Sequence, residues 1–131
     1  GGSHEFPFGK VKLTLAFHGS GIAGGHACGF IVHFDGSVFY FAGDTGLFAD
    51  MELIGKRNAI DYAFLPIGDN FTMGPDDAAY AAGLLKAKTV IPIHYNTWPL
   101  IDQDPEEFKN VVEKETSSKV LIVPCGTRVD L

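Results

Sequence analysis

The stretch "VIPIHYNTWP" (Val90–Pro99) places a histidine directly after an apolar run. Two further stretches share the pattern. "VFYFAGDTG" (Val38–Gly46) runs into Asp44, and "VKLTLAFHGSG" (Val11–Gly21) runs into His18. Short apolar runs rich in β-branched and aromatic residues read as strands. The three polar residues therefore share one address, the C-terminal end of a strand followed by small or turn-forming residues. Strand ends at one edge of a sheet converge in space, and ligand sites commonly sit there. Imidazole and carboxylate are the usual ligands of zinc, iron or manganese. The glycine before Asp44 lets the backbone turn sharply beside a bound ion. Each residue alone is weak evidence, and a lone histidine at a strand end is more often a hydrogen-bonded structural residue. Their three-fold coincidence makes a metal site as good a reading, and spacing carries the matter no further.

Around these stretches the chain divides into two patterns. Up to about Gly43 it is β in character. Val11, Leu13, Leu15 and Phe17 alternate with Lys12, Thr14 and Ala16, and "CGFIVHF" and "SVFYFAG" flank Asp35-Gly36, a strong hairpin signal. The glycine-dense "HGSGIAGGHACG" reads as a mobile loop. After Asp44, helix and strand alternate. "LFADMELIGK" predicts a short helix ending at Gly55, and "DYAFLPIG" a buried strand. "GPDDAAYAAGLLKAK" predicts a helix with Pro75 in its first turn, and "TVIPIHY" the next strand. Asp104 caps a helix to about Glu115, and "KVLIVP" and "TRVDL" close the chain as strands. No repeat, low-complexity run or linker interrupts residues 1–131, which read as one unit.

Length and composition narrow the function. At 131 residues and 46% hydrophobic, the chain can bury a core. Sixteen acidic and ten basic residues give a formal charge of -6, with no Lys/Arg-rich run, so a nucleic-acid partner is not expected. Two cysteines, Cys28 and Cys125, read as reduced thiols rather than a disulfide framework. No apolar run is long enough to span a membrane and "GGSHEFPFGK" lacks a signal-peptide core, so a cytoplasmic location is the default expectation.

"FAGDT", "LPIGDNFTMGP" and "PIHYNTWP", in this order and spacing, resemble the metallo-β-lactamase superfamily. The likeness is strongest to bacterial and archaeal metal-dependent hydrolases similar to ascorbate-6-phosphate lactonase, and it covers essentially the whole chain. The resemblance implies an αββα sandwich with one or two metal ions, usually zinc with manganese or iron as alternatives, in the cleft between its halves. On this resemblance His18 completes the first metal site, Asp44 bridges two ions, and His94 is the last histidine of the second. The family's H-x-H-x-D-H motif has no counterpart, since His4, His26 and His33 fall at unrelated spacings. The chain thus resembles the C-terminal half of a longer hydrolase. The expected fold is α/β, a mixed sheet with helices on one face. Its other face should be apolar and covered by the N-terminal half, carried on the same protein or on a second chain; a homo-oligomer is also compatible.

The implied chemistry is hydrolysis of a small-molecule ester, lactone or phosphodiester by a metal-activated hydroxide, with Asp44 as the catalytic carboxylate. Alone, the chain should catalyse poorly. Asp69, Asn70 and Thr72 read either as a cleft-lining loop that holds substrate or as an Asx-turn leading into a helix. Tyr95 and Asn96, with Thr97, read as hydrogen-bond donors to a developing oxyanion or as polar turn residues. His26 and Cys28 in the glycine-rich loop lack a partner motif and read as non-ligands. Two other classes stand beside the hydrolase: a non-catalytic binding or interaction module, and an iron-binding redox relative on the same scaffold.

Overall fold

In the computed structural model, which describes residues 1–131, the chain runs β1 (Ser3–Phe6), β2 (Gly9–Leu15), β3 (Cys28–Phe34), β4 (Ser37–Phe41) and α1 (Met51–Arg57). It continues through β5 (Tyr62–Pro66), α2 (Pro75–Leu85), β6 (Thr89–Ile93), a 3-10 turn (Pro99–Ile101), α3 (Pro105–Glu115) and β7 (Lys119–Val120). The strands lie side by side in chain order in one seven-stranded sheet. β1 to β4 pair antiparallel and β4 to β7 pair parallel. The connections explain the change. Asp35 (φ 48°) and Gly36 (φ 78°) adopt the paired left-handed conformation of a two-residue hairpin turn, so β4 folds straight back on β3. From β4 onward each return is made by a helix, as parallel pairing requires.

The mixed sheet with helices on one face is the architecture expected from the sequence. Ile31, Tyr40, Ala63, Val90 and Val120 lie in register across β3 to β7 and are buried in one core with Ala78, Ala82, Leu85, Phe108 and Val112 of α2 and α3. Burial pushes the Tyr40 phenol up to about 12, with the Thr14 hydroxyl opposing the shift, although neither hydroxyl has an aligned hydrogen-bond partner. The opposite pleat carries Leu13, Phe30, Phe41, Phe64 and Ile91 in register. Leu13, Phe30 and Phe41 are exposed, and Phe41 stacks on Phe64 with centroids 4.3 Å apart. That face is apolar and partly uncovered, with Ile91 buried at its far side.

At the other edge of the parallel strands, Asp61 ties three strand starts together. Its carboxylate accepts the Val38 N–H at 2.8 Å and pairs with Lys88 at 2.8 Å. The Lys88 ammonium foremost, then the Val38 N–H, holds the Asp61 carboxyl below its ordinary value.

Three local expectations need correction. β1 precedes the strands expected from the sequence; four residues are too short to show alternation, and the strand is recognisable only through its antiparallel pairing with β2, from Ser3 opposite Lys12 to Phe6 opposite Gly9. α1 runs through Gly55 to Arg57 instead of ending there. A Cβ at Gly55 would lie 2.4 Å from the Leu85 carbonyl oxygen, so this glycine serves the close crossing of α1 over the end of α2. The closing strands shrink to Lys119–Val120: Leu121 still donates to Val90, after which a turn from Pro124 to Thr127 takes "TRVDL" out of the sheet. The α2 and α3 expectations hold, with Pro75 in the first turn of α2 and Asp104 accepting from the Glu106 and Glu107 N–H groups.

Candidate functional site

The C-terminal ends of β4, β5 and β6 open on one edge of the sheet, and the loops there are tied together by a residue absent from the sequence-based candidates. Thr45 follows Asp44 and is fully buried. Its Oγ accepts the Phe17 N–H at 2.9 Å and donates to the Gly46 carbonyl at 2.8 Å. Gly46 in turn donates to the Phe17 carbonyl, and Met73 donates to the Thr45 carbonyl at 2.9 Å. One side chain thus joins the His18 segment to the Asp44 turn, and its backbone joins both to the "GDNFTMGP" loop. "FAGDT" contained the signal, a small hydroxyl after a strand-end carboxylate.

Asp44 and His94 come together. His94 Nε2 stands 3.7 Å from Asp44 Oδ2, with the imidazole mostly buried and the carboxylate half exposed. A hydrogen bond would draw these atoms to about 2.7–2.9 Å. Two ligands at about 2.0–2.2 Å from a common tetrahedral ion would stand about 3.3–3.6 Å apart. The observed separation therefore matches shared ligation better than a direct hydrogen bond, and the imidazole–carboxylate donor set suits a divalent metal.

His18 enters from the same edge through Phe17 but stays outside the pair, exposed, with Nδ1 2.7 Å from the Gly19 carbonyl. No three histidine, cysteine or acidic side chains gather closely enough to hold an ion. A carbonyl can only accept, so in neutral His18 Nδ1 carries the proton and Nε2 keeps its lone pair. That is the tautomer a metal-binding imidazole needs.

The backbone around the pair is unusual. Six residues other than glycine have positive φ, and four of them, Asp69, Asn70, His94 and Asn96, lie on the loops after β5 and β6. Left-handed backbone at a non-glycine residue costs roughly 1–3 kcal/mol and clusters where geometry serves function. Gly68 permits the crowding: a Cβ there would lie 2.3 Å from the His94 carbonyl oxygen and 3.2 Å from His94 Nδ1. That Nδ1 is buried without a hydrogen-bond partner.

The remaining candidates occupy the same two loops in different ways. The Asp69 carbonyl accepts from Thr72, and the Asp69 carboxylate lies against Gly74, the residue before α2. Asn70 is exposed, and Thr72 reaches only the Met73 carbonyl at 3.4 Å. Tyr95 packs partly against the core, and this burial raises its phenol, helped by the nearby Cys125. Asn96 Oδ1 accepts the Gln103 N–H at 2.7 Å, closing the loop that follows His94. Cys28 and Cys125 are both free thiols. No helix is long and apolar enough to cross a membrane.

This fold and strand-edge site define a class. The sequence matches the family described as the Beta-lactamase superfamily domain over residues 1–95, and the chain belongs to that family. Over its whole length it is 55% identical to a UPF0173 metal-dependent hydrolase of Pelotomaculum thermopropionicum, of which it covers 61%. Igni18, a metallo hydrolase of Ignicoccus hospitalis, superposes with a TM-score of 0.91 at 42% identity, over 98% of this chain and 57% of that one. An isothiocyanate hydrolase from Delia radicum gut bacteria shares the fold, with a TM-score of 0.74 at 20% identity, over 98% of this chain and 57% of that one. The chain therefore spans about three-fifths of the length of these proteins.

Proposed function

We propose that residues 1–131 form the C-terminal half of a metal-dependent hydrolase acting on a small-molecule ester, lactone or phosphodiester. The observation that carries this reading is the Asp44–His94 pair, held at 3.7 Å on left-handed, closely packed loops. When bound, one or two divalent ions, zinc in the first instance, would supply a Lewis acid and an acidified water. Asp44, half exposed and free of hydrogen bonds to other side chains, has both carboxylate oxygens available to hold or bridge ions and to orient the attacking nucleophile. His94 offers Nε2, and His18 offers its unprotonated Nε2 from the adjoining segment. Asn70, Thr72, Tyr95 and Asn96 stand on the same loops as polar groups for the substrate.

The exposed apolar sheet face supports a partner layer. Leu13, Phe30 and Phe41, each partly exposed, form the kind of patch that marks an interface, and the relatives are longer than this chain. The N-terminal half of the same protein is its proposed cover, and it would bring the ligands that His18, Asp44 and His94 do not provide.

The test is a chelation and reconstitution assay on the full-length protein with ester, lactone and phosphodiester substrates. Turnover should vanish on chelation and return with zinc or manganese. Asp44→Ala should lower it more than about 100-fold, beyond the 10–100-fold expected for losing an outer partner. His18→Ala and His94→Ala should each weaken metal binding, while His26→Ala and Cys28→Ala should match the parent, and the 131-residue chain alone should turn over little. An Asp44→Ala protein as active as the parent would refute the assignment.

A further inference from the structure

The loops after β5 and β6 carry a feature that the Asp44–His94 pair does not use. Phe71 and Trp98 stack with ring centroids 5.6 Å apart and planes 13° from parallel. Both are about half exposed, at 49% and 46%. Trp98 is the chain's single tryptophan.

Backbone geometry fixes the pair in place. Phe71 follows left-handed Asp69 and Asn70 and donates its N–H to the Asp69 carbonyl. Trp98 follows left-handed His94 and Asn96, and its carbonyl accepts the Ile101 N–H at 3.1 Å. The Asn96 N–H also donates to the Ile101 carbonyl. The two loops meet where Gly68 packs against His94. The rings are therefore half exposed on hydrogen-bonded turns of the two loops, at the strand edge that carries the candidate metal pair. Preorganised aromatic walls of this kind are typical of ligand sites.

We infer that Phe71 and Trp98 form the apolar wall of the substrate site and select substrates bearing a planar, uncharged aromatic group beside the bond to be cleaved. This rests on the hydrolase reading and adds the substrate class. Mutual stacking uses one face of each ring and leaves outer faces and edges for a third. Asp69, Asp102 and Asp104 lie on the same loops, so repeated negative charge near the rings is disfavoured and a neutral aryl group is the better match.

The test uses the full-length protein and two measurements. In the first, NMR follows the Trp98 indole N–H while the uncleaved neutral probes 3-phenylpropanamide and 3-cyclohexylpropanamide are titrated. The pair differs in aromaticity rather than size. Aromatic stacking beyond area burial is worth about 0.5–1.5 kcal/mol, so the phenyl probe should bind about 2–13-fold tighter. Phe71→Leu should erase the preference. Equal affinities in the parent, or an unchanged preference in Phe71→Leu, would overturn the inference. In the second, the metal-loaded protein hydrolyses the corresponding methyl esters, which share one leaving group. The phenyl ester should have the lower KM, and Phe71→Leu and Trp98→Leu should raise that KM with kcat within about twofold of the parent. An equal fall in kcat for both esters would point to a structural role and also overturn it. Intact binding preference with no metal-dependent cleavage of any ester, lactone or phosphodiester would count against the hydrolase reading alone.

Discussion

Thr45→Val tests how the site is assembled. The substitution keeps the buried shape and removes the hydroxyl, so the two hydrogen bonds at 2.9 and 2.8 Å disappear while packing is largely retained. The Phe17 N–H then loses its acceptor in a part-buried position, which costs about 1–3 kcal/mol. With a urea m-value of about 2 kcal/mol/M, a loss of about 2 kcal/mol moves the unfolding midpoint down by about 1 M. Thr45→Ser is the control: it keeps both hydrogen bonds and loses one methyl, worth about 0.8 kcal/mol. Urea unfolding of the metal-free full-length protein should rank parent, then Ser, then Val. Zinc affinity should follow the same order, falling about tenfold in Thr45→Val as the His18 segment loosens from the Asp44 turn, held there only by the Gly46 N–H to the Phe17 carbonyl. A Val variant as stable as the Ser variant, or with the parent's zinc affinity, would refute the view that this hydroxyl ties the ligand segments together.

Two further perturbations probe the scaffold. Gly68→Ala would set a methyl 2.3 Å from the His94 carbonyl oxygen, so the loop must shift. Thermal unfolding should show a loss of about 1–3 kcal/mol, and zinc titration a weaker site; parental values for both would show that His94 is not held there. Asp61, whose carboxyl is held low by Lys88 and the Val38 N–H, stays ionised to lower pH folded than unfolded. Its stabilisation is present above the unfolded value of about 3.9 and fades as pH falls through the folded one. Lys88 is exposed and its Coulomb share is screened, so Asp61→Asn should cost about 1 kcal/mol at neutral pH. In denaturant melts across pH the gap from the parent should narrow below about pH 4, and a gap that widened there would contradict the assignment.

What could be read in advance followed from how locally each feature is encoded. The Asp35-Gly36 hairpin, the Pro75 start of α2 and the Asp104 cap depend on a few adjacent residues, and each forms as its chemistry dictates. Gly55 misled because a helix-terminating glycine and a glycine at a helix crossing look alike without the partner helix, here the end of α2. "TRVDL" has strand composition, but the turn at Pro124 removes it from the sheet edge. At the site, strand-end position pointed to His18, Asp44 and His94. Only the fold places His94 against Asp44 and leaves His18 apart. Thr45 and Gly68 were hidden for the same reason, since their roles consist of contacts between segments 28 and 26 residues apart.

The most direct test of the central claim is a crystal structure of the zinc-loaded full-length protein with anomalous data at the zinc edge. An anomalous peak is expected about 2.0–2.2 Å from both an Asp44 carboxylate oxygen and His94 Nε2. Zinc bound in the cleft with neither Asp44 nor His94 in its coordination sphere would contradict it.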